Sequence, residues 1–394
     1  MEQQMKSKRW TRMLVLFMAV GLIAAACGDS DADDAATTAA TAASDDTTAM
    51  DETGHSLAGV CPDPLVIQTD WFPESEHGAM YELVGDGYTV DADQKSVSGP
   101  MVLDGEDLGI EIQVRAGGPA IGSTPVASIM ATDDDITLGY GSTDGQVLRY
   151  EESPLLSIMA PLDKNPQIVM WDPEGIPEAE TIADLGELGT TIQVFGPATW
   201  QDVLAGLGVL SLDQIDPSYD GSPARFIAEG NIAQQGFASA EPYEYENHIE
   251  EYGRPVSFQL LSDAGFEVYS QTISIQPHRQ AELDACLKVL VPIIQQSTVN
   301  FYGSPERANA IIVDAVAKYD TFWSYAADLA AFSVSAQLDL GLAGNGPDNT
   351  VGNMDLDRLQ RVIDSMRTAN LNFPDDLTPE DLATNEYIDK SIGF

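Results

Sequence analysis

Five short apolar runs in this chain each stop at a cluster of glycine, aspartate, serine or proline, and this punctuation constrains the fold more than any other feature. Leu65 to Thr69 stops at Asp70-Trp71. Ile110, Ile112 and Val114 alternate with Glu111, Gln113 and Arg115, as in a half-buried strand, and end at Gly117-Gly118-Pro119. Ile136 to Tyr140 opens into Gly141-Ser142-Thr143-Asp144. Ile192, Val194 and Phe195 break at Gly196-Pro197, and Ile232 to Ala238 delivers Ser239-Ala240-Glu241-Pro242-Tyr243. Helical patterns lie between these runs: Thr124-Pro125 opens one, and Trp200, Val203, Leu204 and Leu207 share the face of another. Strand, loop and helix in alternation predict an α/β protein with parallel sheets. In such sheets the loops at the carboxyl ends of the strands converge on one crevice.

The last 120 or so residues read as helices. Leu283, Cys286, Leu287, Leu290 and Ile294 form one stripe, interrupted by Pro292. Ser304-Pro305-Glu306 opens a helix through Lys318, Asp355 caps one bearing Leu356, Leu359, Ile363 and Met366, and Thr378-Pro379-Glu380-Asp381 opens the last. No repeat of solenoid length is visible.

The start of the chain reads as an export signal. Lys6, Lys8, Arg9 and Arg12 precede an apolar run from Met13 to Ala26, shorter than the roughly 20 residues a membrane span needs. Cys27, directly after Ala24-Ala25-Ala26, resembles the lipobox cysteine of bacterial lipoproteins, where it is acylated and becomes the new N-terminus. Residues from Asp29 to about Ser56 hold Met50 as their one large apolar residue and are expected to be a flexible tether. The protein is therefore expected outside the cytoplasm, lipid-anchored to the outer face of the cell membrane.

The chain carries 18 Lys and Arg against 63 Asp and Glu, a net charge of −45. Such a body is repelled by nucleic acid, which is excluded as a partner. Beyond Cys27 only Cys61 and Cys286 remain, with no paired-cysteine or Cys/His spacing, so no metal site is expected. An oxidising compartment permits a Cys61–Cys286 disulfide, but the place of Cys286 on an apolar stripe favours a buried free thiol. No nucleophile-elbow, zinc-protease or phosphate-loop signature occurs, so no catalytic residue is assigned and no cofactor expected.

Four stretches resemble one family. QTDWFPESEHGAMYEL at 68–83 is similar to the opening of solute-binding proteins in the sulfonate/nitrate/thiamine-pyrimidine branch. ASAEPYEYENHIEEYGRPVSFQLLSDAGFEVY at 238–269, AVAKYDTFW at 315–323 and GLAGNGPDNTVGNMDLDRLQ at 341–360 resemble its second-lobe and C-terminal segments. The resemblance implies a type II periplasmic-binding-protein fold, with two lobes, a ligand cleft between them and C-terminal helices. It divides the chain into a signal (1–26), a tether (27–58), the first part of lobe one (59–165), lobe two (166–272), and the return to lobe one with the C-terminal helices (273–394). Crossings between lobes are expected near Asp163–Val169 and Tyr269–Ile275. It further implies a monomer that hands a small-molecule solute to the permease of an ABC importer. A related cytosolic branch makes the thiamine pyrimidine from its own histidine and pyridoxal phosphate, but it carries a cysteine-rich motif that this chain lacks.

The strand tips supply the candidate ligand contacts. Trp71 can stack on a flat ring and Asp70 can accept from an amine. His77 lies near them among two glutamates, and family relatives place this histidine close to the ligand. Gly118 permits close backbone approach, and Ser142, Thr143 and Asp144 offer hydroxyl and N–H donors. Trp200 and Tyr243 add aromatic faces. Pro242 is expected to hold Glu241 extended, with its carboxylate at a fixed angle. Acidic and aromatic groups suit a flat, nitrogen-rich, neutral or cationic solute such as an aminopyrimidine precursor of thiamine. A sulfonate or nitrate would want arginine in these loops, where only Arg115 qualifies.

Overall fold

The computed structural model describes residues 56–346 and 348–394. The signal, most of the tether and Cys27 lie outside the described residues. Twelve strands form two sheets within one compact unit. The chain first lays down β1 (Leu65–Gln68), β2 (Thr89–Asp91), β3 (Ser96–Leu103), β4 (Glu106–Arg115), β5 (Leu138–Gly141) and β6 (Leu156–Met159). It then builds β7 (Gln167–Trp171), β8 (Ile192–Gln193), β9 (Ile215–Asp216), β10 (Ala233–Phe237) and β11 (Ser257–Leu260). Finally β12 (Thr272–Ile275) returns to the first sheet, whose order is β2-β3-β4-β1-β5-β12-β6. The second sheet runs β11-β7-β10-β8-β9.

The sheets are parallel only in part. β1 lies parallel between β4 and β5, with Ile67 opposite Val114 and Leu138. All four β1 residues are buried, which is why this strand reads as an unbroken apolar run. β4 shows the predicted alternation, with Leu108, Ile110, Ile112 and Val114 inside. Beside the expected parallel pairs the first sheet carries antiparallel ones: β3 adds antiparallel to β4, and β2 adds antiparallel to β3. The β3–β4 turn is Asp104-Gly105, both with positive φ (53° and 80°), which matches the twist of a two-residue hairpin. β12 is also antiparallel to both its neighbours, as are β7 and β10 to each other.

Two segments join the sheets, 160–166 on the way out and 261–271 on the way back. Arg358, on the helix Leu356–Thr368, ties them together. Its guanidinium donates to the carbonyls of Asp163, Glu267 and Val268, and it stacks 3.9 Å over the Tyr269 ring. The same helix buries Val362, Ile363 and Met366 in the core of the second sheet, so the C-terminal region serves both halves.

The helix Gln280–Gly303 covers the first sheet with the predicted stripe, and Cys286 is buried on it. Its thiol is not free: Cys61 and Cys286 form a disulfide across 225 residues, with Cα atoms 4.8 Å apart. Leu57 is buried and its amide bonds the Leu108 carbonyl at 2.9 Å, which lays the 57–61 turn against the same core as that helix. The apolar stripe predicts the burial of Cys286, but nothing in it signals the approach of Cys61. Among the described residues no helix is long and apolar enough to cross a membrane.

Candidate ligand-binding cavity

A cavity of about 280 Å³ opens where β1 and β5 end. Four of the residues singled out from sequence line it: Asp70, Trp71, Gly118 and Ser142. The tip of β1 is shaped by Thr69, whose hydroxyl donates to the Trp71 carbonyl at 2.7 Å and the Arg115 carbonyl at 3.0 Å. Gly117 closes the turn by donating its N–H to the Trp71 carbonyl at 2.8 Å. Gly118 has φ +57°, and a Cβ there would stand 2.5 Å from the Trp71 indole. The glycine is therefore needed both for its backbone conformation and to let the indole lie against the chain. Trp71 meets Trp323 edge-on at 5.9 Å, which fixes the ring at the cavity wall.

Asp70 is held by groups behind it. His77 is fully buried and its Nε2 lies 2.7 Å from Asp70 Oδ1, while Gln271 Nε2 donates to the same oxygen at 3.4 Å. The imidazole packs edge-on against Tyr140, at 4.9 Å between centroids. His77 thus orients Asp70 and does not itself line the cavity. Behind this pair the wall turns acidic. Burial, reinforced by Glu76, Asp70 and Glu241, pushes the Glu74 carboxyl well above its ordinary range. Glu76 is raised too, by burial above all, although a hydrogen bond from the Ser239 hydroxyl opposes the shift.

That hydroxyl crosses from the second sheet, since Ser239 follows β10. Next to it Glu241 opens the helix Glu241–Asn247 with Pro242 in the first turn, so the expected extended geometry does not hold. First-turn proline is tolerated because its missing N–H would have no helical partner. Glu241 Oε2 accepts the Phe237 amide at 2.6 Å, and Gly236 leaves room for the carboxylate. Burial, with help from Glu244 and Glu76, raises its pKa to about 7. Glu241 stands in the seam between the sheets and does not line the cavity.

The remaining candidates are placed apart from it. Thr143 is buried and its hydroxyl accepts the Tyr269 amide at 3.1 Å. Asp144 is half-buried on the first turn of the helix Thr143–Arg149 without lining the cavity. Trp200 is 2% exposed in the core of the second sheet. Tyr243 stacks on Phe332 at 4.8 Å and donates to Asp328 at 3.3 Å. Arg115 is tied to Asp133 at 2.8 Å and to Gln113.

Tyr140, Gln146, Arg149 and Ser270 are among the lining residues that were not singled out from sequence. A signal for two of them exists. Ser142, Gln146 and Arg149 are spaced i, i+4, i+7 and so share one face of the helix that leaves the β5 tip. Arg149 makes no ion pair among the described residues. The cavity therefore offers an aromatic face, one carboxylate, one guanidinium and several neutral polar groups. No cluster of residues able to hold a metal ion occurs among the described residues.

No protein-family model matches the chain, and no curated protein does. Solved structures do. A protein from Bordetella bronchiseptica RB50 aligns with TM-score 0.52 and 13% identity, over 83% of this chain and 96% of its own. The periplasmic aliphatic sulphonate binding protein SsuA from Escherichia coli aligns with TM-score 0.48 and 11% identity, over 79% and 87%. The alkanesulfonate-binding protein SsuA from Xanthomonas axonopodis pv. citri, bound to MOPS, gives 0.48 and 14% over 82% and 98%. At these identities the likeness is one of fold.

Proposed function

We propose that the chain is an extracytoplasmic solute-binding protein that captures a small planar nitrogen-containing solute for an ABC importer. An aminopyrimidine precursor of thiamine, or a similar heterocycle, is the solute that fits best. In this reading a lipid on Cys27 anchors a monomer to the outer face of the membrane, and the permease receives the loaded protein. The observation that carries the reading is the cavity at the β1 and β5 tips, where Trp71 offers a ring face beside the His77-oriented carboxylate of Asp70. A flat ring with an amino group stacks on the first and donates to the second. The volume suits a single ring with small substituents. The Asp70 carboxylate on the cavity wall favours a neutral or positive guest over an anion.

A second reading, capture of a sulfonate or nitrate, is favoured by one specific observation: the Arg149 guanidinium lines the same cavity. A thermal-shift screen with pyrimidines, flavins, polyamines and sulfonates separates the two, because a ligand that binds only the native state raises the melting temperature. Amino-heterocycles stabilising the wild type but not Asp70→Asn support the first reading. Sulfonates alone stabilising it, with the effect lost in Arg149→Gln, support the second.

A further inference from the structure

We propose that the seam between the two halves is a proton-operated latch: Glu74, Glu76 and Glu241 hold the halves shut while they carry protons, and the halves part as these carboxyls ionise. The latch belongs to the chain itself and operates whether or not the cavity takes the solute proposed above.

Glu74 precedes and Glu76 lies within the short turn Ser75–His77 of the first half, and Glu241 opens the helix that follows β10 in the second. Glu76 accepts from the Ser239 hydroxyl across the seam, and Glu241 faces both Glu74 and Glu76. Glu74 is 9% exposed and Glu76 5%. None of the three pairs with a lysine or arginine among the described residues. The charged neighbours add to the problem: Asp70 faces Glu74 and Glu76, and Glu244 faces Glu241. His77 faces Glu76 but is bonded to Asp70. The phenols of Tyr81, Tyr302 and Tyr325 on one side, and of Tyr219 and Tyr245 on the other, also face these carboxyls; burial pushes each phenol up, so they stay neutral. Carboxylates brought together out of water without a cation repel one another and lose hydration, so the closed seam favours their protonated forms.

The seam is built to part. No strand pair joins the two sheets across it. The bonds that cross it are made by side chains, from Ser239 to Glu76 and from Tyr243 and His248 to Asp328, with Tyr243 stacked on Phe332. The covalent crossings, 160–166 and 261–271, lie elsewhere and can serve as the hinge. Burial raises all three carboxyls in the shut form, Glu241 to about 7, whereas an opened seam returns them towards the ordinary carboxyl value. Closing therefore takes up protons. Its advantage is fully present below the ordinary value and is lost as pH rises through the raised ones. His248 acts in the same direction from the exposed rim, because its raised pKa rests chiefly on Asp328 and that bond fades as the ring loses its proton.

Small-angle X-ray scattering of the full chain without ligand, at about pH 5 and about pH 8, reads the opening directly. The wild type is expected to gain about 1 Å in radius of gyration at the higher pH, with unchanged circular dichroism. The triple variant Glu74→Gln, Glu76→Gln, Glu241→Gln keeps the uncharged shape and is expected to stay shut at both, while His248→Gln opens as the wild type does. A wild type of constant radius overturns the latch, and so does a triple variant that opens fully. Loss of the transition in His248→Gln alone assigns the opening to the rim histidine and overturns the carboxyl latch. Titration with the aminopyrimidine of thiamine tests the solute reading separately, so either proposal can fail without the other.

Discussion

The two walls that meet between the sheets treat their polar groups differently. On the side of the second sheet, Glu241 accepts the Phe237 amide, Ser239 donates to Glu76, and Tyr243 and His248 both reach Asp328. Each of these groups has a partner, and several partners lie on the other half of the molecule. On the side of the first sheet, at the cavity, Asp70 is held through one oxygen only, by His77 and Gln271. The first pattern holds two halves together; the second is suited to a guest. The tryptophans divide the same way, with Trp200 sealed in the core and Trp71 half-buried at the cavity wall.

That contrast can be broken most directly at the tryptophans. Trp200→Ala is expected to cost about 3–5 kcal/mol of stability, the usual cost of emptying a large core site. Trp71→Ala should leave denaturant unfolding close to that of the wild type and weaken solute binding about tenfold or more. Chemical denaturation and titration of both variants check this, and a reversed pattern would show that the cavity has been placed on the wrong wall.

Removing the disulfide sharpens the comparison from the other direction. The bridge spans 225 residues and pins the first sheet to its covering helix. The double change Cys61→Ser, Cys286→Ser should lower stability by roughly 2–5 kcal/mol, by freeing the unfolded chain. Solute affinity of the remaining native protein should not change. A large loss of affinity would mean that the cavity depends on the bridge.

A smaller effect is expected from pH. Glu241 is raised to about 7, so the native protein holds a proton there that the unfolded chain releases near the ordinary carboxyl value. Stability from this group is fully present below the unfolded value, declines as pH rises, and is gone once pH passes about 7. After allowance for partial exposure the change is on the order of 1–2 kcal/mol. Glu241→Gln should flatten that part of the stability–pH curve, and an unaltered slope would assign it to Glu74 and Glu76 instead. Smallest of all is His248, whose pKa is raised chiefly by its bond to Asp328. His248→Gln should cost a few tenths of a kcal/mol below the histidine's ordinary pKa and nothing above the raised one, as pH-dependent melting would reveal.

Much of the scaffold was legible because buried strands leave apolar runs and their tips need glycine, aspartate or serine. β1, β4, β5, β8 and β10 were readable on that ground. β2 and β3 were not, because Ser96–Leu103 mixes Gly99 and Pro100 into its strand and the edge strand β2 is mostly exposed. Around the cavity, Asp70, Trp71, Gly118 and Ser142 sit on the tips themselves, where sequence patterns point. Tyr140 and Gln146 lie inside a strand and a helix, where a buried residue looks like any core residue. Glu241 misled for a local reason: proline excludes helix before it in most settings, but not at the first turn.

The account depends on a solute seated between Trp71 and Asp70. Calorimetric titration with the aminopyrimidine of thiamine, run on the wild type and on Asp70→Asn, tests this most directly. One saturable site that weakens about tenfold or more in Asp70→Asn is the predicted result. Equal binding by the two proteins, or no binding to the wild type, would contradict it.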